Sequence, residues 1–333
     1  MSGEDPRMSR RGDIETVSLG ETGLSIPRLW FGTAPIASMP NSYGFEVDEA
    51  AAAAMLDTVF AGPATCIDTS RNYGDGRAED RVGRAIRDRG GLPAGFLIST
   101  KLDRDMRSGR FDGGRARRPL ELSLATLGLD RVPILFLHDP EYAADLTEVT
   151  GPGGALAALF EMKEEGLAQA VGLAAGRVDI MMPLIGAWDF DLVLTHNRFT
   201  LLNRNAEAMI ALAASRTMAV VNAGVFATGV FAKGPDQLPR YAYQAASEAQ
   251  LAPVRRIEGL CRDKGVVMGA AALRVSMGDP RIAATVCGCS KPEHWWQILD
   301  WAAEPIPETF WQALAALPIA YDDPEATRDY KPD

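Results

Sequence analysis

Eight short apolar segments alternate with longer segments of helical pattern over most of the chain, and this alternation constrains the fold more than any other feature. Such alternation is typical of a parallel β-sheet whose strands are joined by right-handed helical crossovers. Eight units within about 300 residues predict an α/β protein with a (β/α)8 TIM barrel. A doubly wound sheet is the alternative, but no GxGxxG follows the first strand, so the usual dinucleotide fingerprint is missing there. The predicted strands span residues 29–33, 64–67, 96–101, 133–139, 170–176, 191–196, 219–224 and 282–290.

The segments that flank the predicted barrel are short. Residues 17–29 are typical of a β-hairpin, because a glycine turn separates two apolar runs. Two extra C-terminal helices are predicted after the last strand, reaching about residue 317. Residues 1–13 are expected to be disordered, residues 14–320 to form a single barrel domain, and residues 321–333 to form a polar tail.

Composition argues against several classes of protein. The net charge of −10 argues against nonspecific binding to nucleic acid or to an anionic membrane. No apolar run approaches the roughly 20 residues needed to cross a bilayer, and the polar N-terminus has no secretory apolar region, so the protein is expected to be cytoplasmic. The four cysteines lack the spacing of a zinc site, so we interpret them as reduced core residues and predict no metal; a metal role is the alternative.

Polar residues end several of the predicted strands. Asp68 follows the second strand, and Lys101, His138 and His196 end later ones. Burying an unpaired charge is costly, so charged or polar residues at these positions indicate a specific role. The carboxyl ends of parallel barrel strands share one face, which is where active sites of such barrels lie. With Tyr73 on the loop after Asp68, the pattern predicts a proton-transfer site; the alternative is that Asp68 caps the next helix and Tyr73 packs on the loop.

With Asp68, Tyr73, Lys101 and His138 in this order, the sequence resembles the aldo-keto reductase superfamily almost from end to end. The similar segments are LWFGTAP, IDTSRNYGDGRAEDRVGRAI, LISTKL, LELSLATLGLDRVPILFLHDPE and AALRVSMGDP. The branch it resembles most is that of the aldose 1-dehydrogenases, which includes D-threo-aldose (L-fucose) and pyridoxal dehydrogenases. HDP at 138–140, RFTLLNR at 198–204 and NAGVFATGVFA at 222–232 indicate this branch. The resemblance implies a nicotinamide cofactor across the barrel mouth and hydride transfer at a carbonyl or carbinol carbon.

The chemistry of the four residues agrees with that implication. A free phenol titrates near pH ~10, too high for easy proton exchange at neutrality. Lys101 is expected to favour the phenolate of Tyr73 while burial opposes it, so we expect the pKa to stay above neutrality. Asp68 would hold the lysine, and His138 would orient the substrate oxygen or share the proton. Tyr73 would be the base in oxidation and the acid in reduction.

The resemblance also implies a set of cofactor-binding residues. Gly32 lets another group approach the backbone closely. Ser290 and Lys291 lie near the start of a helix, which is a natural phosphate site. NADP is slightly favoured, but NAD stays open because His294 replaces the arginine that many relatives use near the adenosine phosphate. The predicted cofactor-binding residues are Gly32, Thr33, Asp68, His196, Phe226, Ser290, Lys291 and His294.

Several positions depart from the pattern of the family. Ala174-Ala175 stands where many relatives place Ser-Asn to hold the nicotinamide amide, His196 where many have glutamine, and Ile298 where many have asparagine. A structural role for His196 and His294 is therefore the alternative to a cofactor role. Among the aromatic residues, Phe226 and Phe231 are candidates for the cleft, whereas Trp295, Trp296 and Trp301 are expected to pack against the barrel.

Two classes of function remain. The first is an NAD(P)-dependent oxidoreductase that oxidises an aldose or a pyridoxal-like hemiacetal, with reduction of aldehydes or ketones as a close variant. The second is a regulatory cofactor-binding protein resembling potassium-channel β-subunits, favoured by the changes at Ala174-Ala175 and Ile298. The intact set of four favours an enzyme with a small-molecule substrate. The sequence indicates neither the physiological substrate nor the oligomeric state.

Overall fold

A closed barrel of eight parallel strands forms the centre of the computed structural model, which describes residues 14–318 and 322–326. The strand order around the barrel is β12-β3-β4-β5-β6-β7-β8-β9, so neighbours in sequence are neighbours in space. The predicted TIM barrel is therefore confirmed. The barrel strands are β3 (Leu29–Gly32), β4 (Cys66–Asp68), β5 (Leu97–Leu102), β6 (Val132–His138), β7 (Ala168–Ala174), β8 (Leu192–His196), β9 (Ala219–Ala223) and β12 (Ile282–Cys287).

Helices lie between successive barrel strands, as a parallel barrel requires. Several begin with a side-chain cap: Asp48 accepts a hydrogen bond from the amide of Ala51, and Asp112 from that of Arg115. The helices are α1 (Pro40–Tyr43), α2 (Glu49–Phe60), α3 (Arg77–Asp88), α4 (Gly113–Leu127), α5 (Leu146–Thr150), α6 (Ala155–Glu164), α7 (Val178–Ala187), α8 (Glu207–Ser215), α9 (Val230–Lys233), α10 (Glu248–Asp263), α11 (Met268–Met277), α12 (Pro292–Ala303) and α13 (Glu308–Ala315).

The predicted N-terminal hairpin is present and closes the amino end of the barrel. Strands β1 (Thr16–Ser18) and β2 (Ser25–Pro27) pair antiparallel. Leu19 and Ile26 of this hairpin are buried in one cluster with Trp30 and Phe136 from the barrel strands. The carboxyl ends of the strands are therefore the end at which a ligand can enter.

Two segments add detail to the barrel. Helix α7 continues through Pro183. The loss of one intrahelical hydrogen bond is offset by Met181 and Leu184, which are buried against the barrel. The long segment after β9 contains helix α9 and a short antiparallel ribbon, β10 (Arg240–Tyr241) with β11 (Gln244–Ala245).

The ends of the chain are described only in part. Residues 1–13, predicted to be disordered, lie outside the described residues, and the predicted boundaries near 13 and 320 stay predictions. Of the predicted polar tail, residues 322–326 are described. Within the described ranges, no helix is long and apolar enough to cross a membrane. All four cysteines are buried and unpaired.

Helices α3 and α4 approach each other closely at Gly83, which gives a test of the fold. A Cβ at this position would lie 2.0 Å from the carbonyl oxygen of Thr126. Gly83→Ala is expected to lower the free energy of unfolding by about 1–3 kcal/mol, because overpacking outweighs the better helix propensity of alanine.

Gly259 is the matched control within α10, since a Cβ there would have only Arg262 Nη2 near it, at 3.7 Å. Gly259→Ala is expected to raise the free energy of unfolding by about 0.5–1 kcal/mol. Urea unfolding of both variants is the measurement. A Gly83→Ala variant as stable as Gly259→Ala would mean that the two helices do not pack as described.

Candidate active site

A cavity of about 580 Å3 opens at the carboxyl ends of the barrel strands. Its floor includes Gly32 at the end of β3, Asp68 at the end of β4, Ala223 at the end of β9 and Cys287 at the end of β12. The cavity extends from these strand ends to the start of α12. This is the face on which barrel enzymes bind their ligands.

A buried ion pair joins β4 and β5 beneath this cavity. Lys101 Nζ lies 2.9 and 2.8 Å from the two carboxylate oxygens of Asp68, and it donates a third hydrogen bond to the carbonyl oxygen of Thr69 at 2.8 Å. Asp68 Oδ1 also accepts a hydrogen bond from Ser99 Oγ at 3.0 Å. The three acceptors match the three donors of an ammonium group, so the charge of Lys101 is fully satisfied although its side chain is 1% exposed.

Tyr73 lies above this pair on the loop between β4 and α3. The loop turns at Gly74, where φ is +63° and a Cβ would lie 2.2 Å from the carbonyl oxygen of Ala37, so only glycine fits. Lys101 Nζ is 4.7 Å from the centroid of the Tyr73 ring. Burial raises the pKa of the Tyr73 phenol well above its ordinary value, and the charge of Asp68 adds to the effect. The phenol is therefore protonated at neutral pH.

His138, at the end of β6, completes the group. Its ring is 5.9 Å from that of Tyr73, centroid to centroid, and nearly perpendicular to it at 86°. Burial alone would lower the pKa of His138, but the carboxylates of Asp139 and Asp103 outweigh it, so that the pKa is raised. The structure thus brings together Asp68, Tyr73, Lys101 and His138, which the sequence predicted as one site.

Two acids beside His138 were missed by the sequence analysis. Asp103 Oδ1 lies 2.6 Å from His138 Nδ1, and Asp139 Oδ2 lies 3.7 Å from His138 Nε2. A signal was available for Asp103, because it stands two residues after Lys101 and side chains of a strand alternate with a period of two. For Asp139 the signal was its position directly after a strand-terminal histidine.

The start of α12 gives the cavity a basic wall. Ser290, Lys291 and His294 line the cavity there, and Lys233 of α9 lines it as well. The pKa of His294 is lowered by burial and by the charges of Lys233 and Lys291. Two ammonium groups and a helix N-terminus form a donor set that suits the phosphates of a dinucleotide.

The predicted cofactor-binding residues do not all reach the cavity. Gly32, Asp68 and Phe226 line it, together with the three residues at the start of α12. Thr33 is fully buried, and its hydroxyl donates to the carbonyl oxygen of Asp68 at 3.0 Å. His196 lies instead beside Glu325, with Nδ1 and Oε1 3.0 Å apart.

The aromatic residues also divide differently from expectation. Phe231 was interpreted as a cleft residue, but it is fully buried in a hydrophobic core cluster, because it belongs to the short helix α9. Trp295, Trp296 and Trp301 are buried as expected, yet Trp301 also lines the cavity and lies 5.7 Å from Phe226, centroid to centroid. Ala174 and Ala175 are buried, and their side chains supply no hydrogen bond.

Residues from the predicted tail lie against the end of β8. Arg198 forms ion pairs with Asp323 at 2.7 Å and with Glu325 at 3.1 Å. Glu325 Oε1 also accepts a hydrogen bond from Asn197 Nδ2 at 3.0 Å. These partners are more than 100 residues apart in sequence, so no local pattern indicated them.

Comparison with known proteins agrees with this geometry. The sequence model that describes the aldo/keto reductase family matches residues 28–318 of this chain. The chain belongs to the aldo-keto reductase family. It is therefore an oxidoreductase.

Two characterised relatives of this aldo-keto reductase are dehydrogenases. D-threo-aldose 1-dehydrogenase of a Pseudomonas species is 28% identical over 321 residues, which cover 88% of this chain and 94% of the relative. Pyridoxal 4-dehydrogenase of Microbacterium luteolum is 28% identical over 338 residues, covering 90% and 96%. Among solved structures, the holo form of an aldo-keto reductase from Bacillus halodurans has a TM-score of 0.74 at 18% identity, covering 95% of this chain and 100% of that one.

The buried pair of Lys101 and Asp68 gives a test of the site. Lys101→Met is expected to lower the free energy of unfolding by about 3–5 kcal/mol, because it leaves a buried carboxylate without its cation. Asp68→Asn/Lys101→Met should be less destabilised than either single variant, since no unpaired charge remains. Urea unfolding of the three variants is the measurement.

Asp189→Asn is the control, because it breaks the pair of Asp189 with Arg216 in which Asp189 is 93% exposed. A surface pair of this kind contributes about 0–1 kcal/mol. Strictly additive losses in the double variant would contradict a direct pair between Lys101 and Asp68.

Proposed function

We propose that this aldo-keto reductase transfers a hydride between a nicotinamide cofactor and a small carbonyl or hydroxyl compound. The observation that carries the proposal is the proximity of Tyr73, which lines the cavity, to both Lys101 and His138. A phenol that can exchange its proton, beside a cation and an imidazole, suits a reaction in which an oxygen gains or loses a proton.

The lining of the cavity fits a nicotinamide dinucleotide. Ser290, Lys291 and His294 would hold its phosphates together with Lys233, and Gly32 and Phe226 would form part of the lining around it. When bound, the cofactor supplies the acceptor or donor of the hydride. Thr33 donates to the carbonyl oxygen of Asp68, and His196 lies beside Glu325 near the end of the chain, so a cofactor role of these two residues stays a prediction.

The roles of the four residues follow from their contacts. Tyr73 would give its proton to a substrate oxygen in reduction and would accept one in oxidation. His138 would hold that oxygen with a ring nitrogen. Lys101 would donate to its three acceptors, and Asp68 would fix the ammonium group in place.

The substrate we propose is an aldose of the L-fucose or D-threo type, or a pyridoxal-like hemiacetal. This rests on the two dehydrogenases of similar sequence, which act on an aldose and on pyridoxal according to their names. Reduction of aldehydes or ketones is the second candidate, favoured by the raised pKa of Tyr73, since reduction uses the protonated phenol. A purely regulatory role is disfavoured, because binding a cofactor does not require the ion pair of Lys101 and Asp68 beneath Tyr73.

Tyr73→Phe tests the proposal. The wild type is mixed with NAD or NADP and a panel of aldoses and pyridoxal, and the absorbance of the reduced cofactor is followed. Oxidation by the wild type should become faster as the pH rises, because the phenol must lose its proton first. Tyr73→Phe should lower kcat by a factor of about 10²–10⁴ with little change in cofactor binding, because only the transferable proton is removed.

Tyr43→Phe is the control for loss of a hydroxyl from the same cavity. It should keep most of the wild-type turnover. A Tyr73→Phe variant that keeps more than about a tenth of the wild-type kcat would refute the role given to Tyr73.

The basic wall gives a test of cofactor preference. Lys291→Ala and His294→Ala are expected to weaken NADP binding more than NAD binding, because the additional phosphate of NADP needs an additional positive partner. Fluorescence titration with each cofactor is the measurement. Equal losses for the two cofactors would place the 2′-phosphate away from α12.

A further inference from the structure

Asp103 connects the two halves of the site. It follows β5 directly and is 4% exposed. Its Oδ1 lies 2.6 Å from His138 Nδ1. Its Oδ2 accepts hydrogen bonds from Ser70 Oγ at 2.9 Å and from the backbone amide of Asn72 at 3.2 Å. One carboxylate therefore joins the histidine on β6 to the loop that carries Tyr73.

We propose that Asp103 is a positioning residue of the active site, which acts through His138 and through the Tyr73 loop. The inference rests on the proposed function, in which His138 holds the substrate oxygen. With Nδ1 bound to a carboxylate, the proton on Nδ1 is fixed and the ring cannot flip without losing a buried hydrogen bond. Nε2 is then the ring nitrogen left for the substrate oxygen.

The loop side of the contact has its own consequence. The hydroxyl of Ser70 donates a hydrogen bond to Asp103, and the carbonyl oxygen of Ser70 accepts one from the backbone amide of Tyr73 at 3.2 Å. Ser70 therefore begins the turn that carries Tyr73, and a shift of the Asp103 carboxylate would move Ser70. The distance between phenol and imidazole thus depends on a carboxylate that is not part of the cavity lining.

The charges around His138 favour its protonated form. Asp103 faces Nδ1, Asp139 lies 3.7 Å from Nε2, and Lys101 and the edge-on ring of Tyr73 lie on the remaining sides. Burial and Lys101 would lower the pKa of His138, but the two carboxylates outweigh them. The pKa of Asp103 is lowered although burial would raise it, because the charge of His138 prevails. The contact therefore favours the ionic form of the pair, in which the protonated ring can donate from Nε2.

The pH range of this ionic pair follows from the two shifts. A histidine with a raised pKa in the folded state contributes stability below the pKa of the unfolded group, ~6.5, and loses it as the pH rises through the folded value. An aspartate with a lowered pKa contributes stability above ~3.9 and loses it as the pH falls through the folded value. The difference in free energy of unfolding between wild type and Asp103→Asn should therefore be largest between about pH 3.9 and about pH 6.5.

The first experiment is a pH titration of the imidazole nitrogens of the full chain by long-range ¹H–¹⁵N NMR. The chain has three histidines, so His138→Gln assigns the signal of His138. The wild-type signal should show a proton on Nδ1 in the neutral ring and a midpoint above that of a free histidine, ~6.5. In Asp103→Asn the midpoint should fall while the Nδ1 proton remains, because the amide oxygen still accepts it. In Asp103→Ala both features should be lost.

Asp105→Asn is the control, two residues along the same loop. The Asp105 carboxylate caps only Arg107 and Ser108, so this variant should leave the titration of His138 unchanged. An unchanged midpoint in Asp103→Asn, or a neutral ring with its proton on Nε2 in the wild type, would overturn the proposal. Asp103→Asn carries the test if Asp103→Ala fails to fold.

The second experiment separates positioning from a purely structural role. With L-fucose and NADP, or pyridoxal and NAD, Asp103→Asn should lower kcat by about 10–100-fold, the range typical of residues that orient a functional histidine. Asp103→Asn/His138→Gln should lose less than the product of the two single losses in kcat, because the part of the effect that acts through the ring is already gone in His138→Gln. Additive losses would overturn the proposal. Absence of turnover with both pairs would refute the proposed substrates, and the NMR titration would then decide the role of Asp103 alone.

Discussion

The buried ion pair between Lys101 and Asp68 is the interaction on which the arrangement of the site depends. Removing two charges from water costs several kcal/mol for each ion, and only close contacts with further hydrogen bonds offset it. These contacts exist because β4 and β5 are parallel neighbours in a register that places Asp68 beside Ser99. A slip of one residue would direct Lys101 to the other face of the sheet. The register of two strands therefore determines whether the charge beneath Tyr73 can exist.

The barrel and the four residues of the site could be predicted because both depend on local patterns. Strands covered on both faces appear as continuous apolar runs, so their positions along the chain are visible without any knowledge of contacts. A lysine or histidine at the end of such a run, as at Lys101 and His138, is conspicuous because burial disfavours it. Parallel strands then bring these ends to one face, so proximity in space followed from the type of fold.

What could not be predicted depends on contacts between distant segments. His196 has the position of a family cofactor residue, but Glu325 from the end of the chain occupies its Nδ1. The contact of Asp103 with His138 joins the loop after β5 to the end of β6, and spacing in sequence does not show which side chains of two segments meet. Lys233 and His294 line one cavity although they belong to helices that are about 60 residues apart in sequence. Loops are where family members differ, so a family pattern gives least information there.

The pairing of charges also explains why the pKa of Tyr73 lies above neutrality, as expected. The sequence predicted that burial would oppose the effect of Lys101 on the phenol, and the pKa of Tyr73 is raised, first by burial and then by Asp68. Each cation near the ring has a carboxylate of its own, Asp68 for Lys101 and Asp103 for His138, and the field of a close pair falls off faster than that of a single charge. Burial therefore prevails, and Tyr73 keeps its proton at neutral pH. In the proposed mechanism reduction can start from this resting state, whereas oxidation must first remove the proton. The paired charges thus offset the cost of burying a lysine and a histidine. In the proposed mechanism they also favour proton transfer from Tyr73 to the substrate, whatever the substrate.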